Sequence, residues 1–417
     1  MEATGAGAPE PALPAGFLWG AATSAHQVEG DNIHADWWEA ELAEQVPYRS
    51  GEACRHLERY PQDIRLLASV GLNAYRFSVE WARLQPHPDS WDHGHLRRYV
   101  HMAHLCRENG VTPLVTLNHF TLPAWLARRG GWLCREAPAA FAAYAARVVA
   151  AMGDAVGLYA TVNEPIILAL QAYLEGLWPP GQRRLATAVA VARQLARAHR
   201  VAYSAVRTVR PQAAVGAVKQ MVHFRPLRPH ALGDSLLTQA VRRSFNEAWL
   251  DSVADVLDWI GVNYYTVMHC GWQQGRPVRS ESRQALRART DMGWEVHPAG
   301  LHRVLHSLAR FGRPIYITEN GIATADDEWR CRFLRAHLRQ AARAIADGLD
   351  LRGYFHWSLL DNFEWAQGYR MRFGLVEVDR ATQERRPRPS LHYLGAMARA
   401  NAVLRRCLPG VALADRA

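Results

Sequence analysis

Leu158-Tyr159-Ala160-Thr161-Val162-Asn163-Glu164-Pro165 is a short apolar, β-branched run that ends in an asparagine, a glutamate and a proline. Such a run reads as a strand buried on both faces, the kind that builds parallel sheets. Pro165 removes a backbone donor and disfavours helical geometry at Glu164, so an extended strand end is expected there. A matching run, Ile315-Tyr316-Ile317-Thr318, is followed by Glu319-Asn320-Gly321. Similar short runs lie at 17–22, 73–79, 113–118, 214–218, 259–263 and 351–357, which brings the count to eight. Longer Ala, Leu and Arg segments at 60–70, 96–108, 138–152, 185–207, 298–309 and 328–347 carry one apolar face each, as helices that cover a sheet do. The alternation predicts an α/β fold, a single (β/α)8 TIM barrel, which commonly reaches this length as one domain. Residues 17–405 are expected to form the catalytic barrel, 1–16 a flexible N-terminal extension and 406–417 a C-terminal tail. Segments 266–292 and 366–388 read as long loops on the rim where barrel active sites are built.

Hydrophobic residues make up 49% and charged residues 21% of the 417, the balance of a folded, water-soluble chain. The net charge of +10 is almost wholly arginine, because Lys219 is the one lysine. No nucleic-acid-binding motif accompanies the charge, so no nucleic-acid partner is expected. The first 16 residues lack a basic leader and an apolar core, and no stretch of about 20 apolar residues occurs. Six scattered cysteines without a CxxC pair fit a reduced, cytoplasmic protein.

Two glutamates closing barrel strands point to sugar chemistry. A glycosidic bond is cleaved between an acid that protonates the leaving oxygen and a carboxylate on the other face of the ring. Glu164 is the expected acid and then base, which requires a pKa near or above neutrality. Glu319 is the expected nucleophile, kept ionised by Arg76 and by a hydrogen bond from Tyr265. The aromatic and polar mixture from Trp357 to Trp365, with Glu364 inside it, suits a pyranose, which offers hydroxyl rims and C–H faces. Gln27, His119 and Asn163 add donors and acceptors. His56, His104 and His297 form no ligand cluster, and the chemistry needs neither metal nor organic cofactor.

From Phe17 to about Asn401 the chain resembles glycoside hydrolase family 1, the retaining β-glucosidases and β-glycosidases. The resemblance rests on Phe17-Leu18-Trp19-Gly20-Ala21-Ala22-Thr23-Ser24-Ala25-His26-Gln27-Val28-Glu29-Gly30, Tyr75-Arg76-Phe77-Ser78, Asn163-Glu164-Pro165, Asn263-Tyr264-Tyr265, Thr318-Glu319-Asn320-Gly321 and Asp361-Asn362-Phe363-Glu364-Trp365. It implies that Gln27, His119, Asn163, Glu364 and Trp365 bind sugar hydroxyls and that Trp357 stacks under the ring. Asn163 would touch the 2-hydroxyl and Glu364 the 4- and 6-hydroxyls, where it would repel a phosphate. Asn263 joins the catalytic support, and Phe120 and Phe373 join the substrate-binding set.

The expected activity is hydrolysis of a nonreducing-end β-D-glucosyl residue, with β-D-galactosyl and β-D-fucosyl as alternatives, from a hydrophobic or sugar aglycone. The competing readings are a transglycosylase and a non-catalytic carbohydrate-binding barrel. Three features depart from the family pattern. Phe120 replaces an indole donor, Glu80 stands where serine is common, and the chain is short enough to leave the aglycone-site loops in question.

Overall fold

The computed structural model describes residues 12–280 and 289–404. Its strands are β1 (Leu18–Ala22), β2 (Ala74–Ser78), β3 (Thr112–Asn118), β4 (Leu158–Asn163), β5 (Ala214–Pro226), β6 (Trp259–Gln273), β7 (Arg276–Ser280), β8 (Ile315–Asn320) and β9 (Leu351–Trp357). Parallel neighbours run β5-β4-β3-β2-β1-β9-β8-β6, and β5 pairs with β6, so eight strands close a barrel. Helices His56–Ser69, His93–Glu108, Ala137–Met152, Leu185–Val209, Leu232–Arg242, Pro298–Leu308, Asp327–Ala346 and Pro389–Ala400 each follow one barrel strand.

The strands are buried on both faces because two cores meet at the sheet. Ala22, Ala74, Leu114, Ala160, Val218, Trp259, Tyr316 and Phe355 fill the barrel axis. Glycine makes room for the largest of them, since a Cβ on Gly20 would sit 2.7 Å from the Phe355 ring and one on Gly216 2.4 Å from the Trp259 ring. The outer layer packs strand side chains such as Tyr75, Val115 and Ile317 against Leu67, Phe141, Leu195 and Leu334 of the helices.

The rim corrects the loop expected at 266–292. β6 continues beyond the barrel, stays paired with β5 as far as Pro226↔Cys270, and turns back antiparallel into β7. Gln274 (φ +49°) and Gly275 (φ +73°) form the tight turn, with the paired positive φ values that suit a hairpin. Its Gly, Gln and Arg content masks the strand because much of the arm faces water, with Trp272 41% exposed. The segment 366–388 likewise holds a small antiparallel pair, Val376–Val378 with Arg385–Pro387.

At the amino end, Leu13 is buried, its N–H donates to Asn401 O at 2.9 Å, and Asn401 Nδ2 donates to Leu13 O at 2.7 Å. Residues 12–14 are therefore tied to the end of the last helix. Residues 1–11 of the expected extension and the expected tail 406–417 lie outside the described residues. Among the described residues no helix is long and apolar enough to cross a membrane.

Candidate active site

Arg76 on β2, completely buried, organises the mouth of the barrel. Its Nη1 donates to Glu319 Oε1 at 2.6 Å, its Nη2 to Asn163 Oδ1 at 2.7 Å, and its Nε to Thr116 Oγ1 at 3.0 Å. Tyr265 OH donates to Glu319 Oε2 at 2.6 Å, so each oxygen of this carboxylate has its own donor. Asn263 Nδ2 donates to Glu164 Oε1 at 2.7 Å and to Asn163 Oδ1 at 3.3 Å, while Thr318 Oγ1 donates to Asn263 Oδ1 at 2.7 Å. These residues sit toward the barrel mouth on β2, β3, β4, β6 and β8, with Asn263 and Tyr265 where β6 runs past the end of its pairing with β8. The strand register slips between Ala160 and Asn163, between Val262 and Asn263, and between Ile317 and Asn320. Such irregularities re-aim side chains at a barrel rim.

The extended strand end expected at Glu164 is not what forms. Glu164 takes a left-handed conformation (φ +44°, ψ +57°), its N–H donates to Val218 O at 2.8 Å, and Pro165 starts the helix Pro165–Tyr173. The following proline disfavours right-handed helical geometry at residue 164 but does not dictate the extended basin. The turn into the helix selects the left-handed one, a conformation that non-glycine residues occupy chiefly where the surroundings enforce it.

Burial pushes the Glu164 carboxyl up to about 8 and the Glu319 charge adds to the rise, against the opposing pull of Asn263, Lys219 and Arg76. Burial also raises Glu319, but Arg76 and the Tyr265 hydroxyl restrain it. The proton of the pair therefore rests on Glu164. Replacing Tyr265 by phenylalanine removes a donor to the ionised form of Glu319, so its pKa rises. The acidic limb of the kcat/KM profile should move to higher pH and kcat should fall by about tenfold to a hundredfold, the worth of one charge-assisted hydrogen bond. An unmoved acidic limb in a pH–rate series would contradict this role.

Above the pair lies a cavity of about 470 Å³, within the range of small-molecule sites. Gln27, His119, Phe120, Asn163, Glu164, Tyr265, Glu319, Trp357, Glu364, Trp365 and Phe373 all line it. Arg76 and Asn263 lie beneath its surface and act through the side chains they hold. The His119 ring lies nearly parallel to those of Trp357 (5.8 Å, 19°) and Trp365 (6.4 Å, 12°). Because Arg76 holds the Asn163 oxygen, the Asn163 amide nitrogen faces His119 Nε2 at 3.2 Å. Burial and Arg76 hold His119 far below its ordinary pKa. The neutral ring then accepts at Nε2 and carries its hydrogen on Nδ1, which no protein group accepts among the described residues.

Two departures from the family pattern have local explanations. Phe120 packs its ring on Trp178 at 4.8 Å and Trp365 at 5.3 Å. Glu80 accepts from Thr121 Oγ1 at 2.8 Å and from Ala82 N at 3.2 Å, so it caps the short helix Trp81–Leu84 and anchors the turn that carries His119 and Phe120.

Gln27 Nε2 donates to Phe363 O at 2.8 Å and to Glu364 Oε2 at 3.3 Å. Burial, and then the Glu319 charge, push Glu364 up to about 8. Between the ordinary glutamate value of 4.5 and about 8 the folded protein holds a proton that the unfolded chain releases. That contribution to stability therefore falls as pH rises through the window. Glu364→Gln should be more stable than the wild type at pH 8, by roughly 1–2 kcal/mol once the partial exposure of residue 364 is discounted, and should melt higher. The gap should close toward pH 5, and equal melting temperatures at both pH values in a calorimetric series would contradict it.

Several lining residues escaped the sequence reading. Gln171, Glu175, Leu177 and Trp178 reach the cavity from the helix after β4 and its trailing turn, Gln220 from β5, Met268 from the arm, and Met292 and Trp294 from the segment before helix Pro298–Leu308. None stands in a motif, so only the fold collects them. Lys219, the one lysine, also stands in no motif. It is fully buried, with its ammonium donating to Gln220 O at 2.6 Å and lying 4.4 Å from the centre of the Phe245 ring. Burial lowers it to about 7, against an opposing pull from Glu164.

An acid that keeps its proton beside a donor-held carboxylate, both open to one sugar-sized cavity, defines a glycoside hydrolase. The chain matches the model for glycosyl hydrolase family 1 over residues 10–253 and 232–403. It is 33% identical over 421 residues to β-glucosidase A of Thermotoga maritima, covering 89% of this chain and 94% of that protein. It is 34% identical over 442 residues to a β-glucosidase of Agrobacterium sp., covering 93% and 95% respectively. The solved β-glycosidase from Pyrococcus horikoshii superposes with a TM-score of 0.91 at 40% identity, over 96% of this chain and 98% of that one. The chain belongs to glycosyl hydrolase family 1.

Proposed function

We propose that the protein is a retaining β-glucosidase that removes a nonreducing-end β-D-glucosyl residue by double displacement. The observation that carries this reading is that Asn163 Oδ1 accepts both from Arg76, which holds Glu319, and from Asn263, which holds Glu164. Carboxyls tied this closely through one intervening side chain support the roughly 5–5.5 Å spacing of retaining enzymes rather than the wider gap that inverting ones keep for a water. Glu319 attacks the anomeric carbon while Glu164 gives its proton to the leaving oxygen. The α-linked glycosyl-enzyme is then opened by water, whose proton passes to Glu164, and the β-sugar leaves. Asn163 holds the 2-hydroxyl, Glu364 the 4- and 6-hydroxyls, Gln27, His119 and Trp365 the remaining rim, with Trp357 beneath the ring. Phe120 and Phe373 close the walls.

The names of the relatives support glucose, and one carboxylate at Glu364 also accommodates galactose or fucose with small shifts. Ile167, Leu170, Leu177, Phe245, Met268 and Met292 line the outer cavity, which supports an apolar aglycone. The free state of Cys54, Cys106, Cys134, Cys270 and Cys331 supports a reducing, cytoplasmic setting. The closed barrel supports reading residues 17–405 as one catalytic unit. Proton NMR during hydrolysis of an aryl β-glucoside tests the stereochemistry. The β-anomer is expected first, and the α-anomer first would overturn the reading. A panel of aryl β-glycosides differing at the 4- and 6-positions ranks the sugars.

A further inference from the structure

On the far side of the molecule from the cavity, His302 and His306 stand one turn apart on helix Pro298–Leu308, and Asp347 caps the end of helix Asp327–Ala346. Both helices end there just before their chains enter β8 at Ile315 and β9 at Leu351, so the cluster lies at the amino ends of the barrel strands, opposite Glu319. Spacing of i and i+4 places two imidazoles on one helix face. His302 Nε2 lies 2.7 Å and His306 Nε2 3.0 Å from the same oxygen, Asp347 Oδ2, and the two nitrogens are 3.2 Å apart. The side chains stay reachable from water, 17%, 37% and 41% exposed for His302, His306 and Asp347 respectively.

An ion pair would need one imidazole on this carboxylate, whereas here two imidazole nitrogens and one carboxylate oxygen lie within 3.2 Å of one another. Zinc bound at about 2.0–2.1 Å to tetrahedral N and O ligands has ligand–ligand edges of roughly 3.3 Å. The observed triangle approaches one face of that tetrahedron. Its donors, two imidazoles and a single carboxylate, suit zinc and its transition-metal neighbours and not magnesium or calcium, which take oxygen sets.

We propose that His302, His306 and Asp347 form a divalent transition-metal site of zinc type, water supplying the fourth ligand, that staples the ends of two barrel helices. It is remote from the catalytic pair and takes no part in the reaction.

Isothermal titration of the full chain with zinc chloride, with magnesium chloride as control, tests it alongside thermal melting. One equivalent of zinc should bind with a Kd in the micromolar range, and saturating zinc should raise Tm by about one to a few degrees, as a ligand selective for the folded state does. Magnesium should do neither. The double variant His302→Ala/His306→Ala should lose that equivalent and the Tm response while keeping wild-type glucosidase activity, which shows that it folds. Asp347→Asn should weaken zinc binding at least about tenfold, a carboxylate ligand having become a neutral amide. Cobalt loading should give the visible absorption of a four-coordinate site in the wild type and not in the double variant. Undiminished zinc stoichiometry and Tm response in the double variant would overturn the proposal, as would a zinc-bound wild type that melts no higher than the free protein.

Discussion

Glu319→Ala is expected to lower kcat for an aryl β-glucoside by about 10⁵-fold or more, the scale on which removal of a covalent nucleophile acts. Substrate binding should survive, because Gln27, His119 and Glu364 line the cavity from other elements. The variant also removes the two oxygens and frees their donors, Arg76 and Tyr265, each now at 2.6 Å, leaving an anion-seeking hole on the attacking face. Azide or formate in that hole should restore turnover of an activated glucoside and give a product of α-configuration, since the small anion attacks from the side Glu319 leaves open. Chromatography or NMR of the azide product decides the matter. A β-configured azide, or turnover within tenfold of wild type, would show that Glu319 is not the attacking group.

Glu164→Ala should show the complementary signature. Loss of a general acid costs about 10²–10⁴-fold for substrates with poor leaving groups and little for activated ones. An activated aryl glucoside should therefore glycosylate Glu319 at close to the wild-type rate and then stall, because no base remains to activate water. A burst of phenol followed by a slow steady state is expected, and azide should now release a β-glycosyl product from the intermediate. The basic limb of the wild-type kcat/KM profile, assigned to Glu164 with its pKa raised to about 8, should disappear. A variant that keeps this limb, or loses activity equally on all leaving groups, would place the acid elsewhere.

The eight barrel strands and most of the helices were legible because parallel strands buried on both faces leave uninterrupted apolar runs, and the helices between them keep one apolar stripe. The arm formed by β6 and β7 was not, since it stands off the barrel and carries polar residues on much of its length. Glu164 and Glu319 were legible as strand-end carboxylates beside asparagine. The left-handed turn at Glu164 was not, because proline only narrows the choice at the preceding residue and the Val218 carbonyl makes it. Trp178, Gln220 and Met268 belong to no motif, and three different elements deliver them to one wall.

From its order of residues alone the chain determined the barrel, its register of apolar runs, and the identity of the groups that meet at its mouth, because periodicity and local composition are properties of neighbours along the chain. Tertiary structure alone supplied the physical difference that leaves the proton on the expected acid, Glu164, and not on Glu319. That difference arises from Arg76 on β2 and Tyr265 on β6 converging on Glu319 of β8, and charge interactions act across space between residues 54 to 243 positions apart.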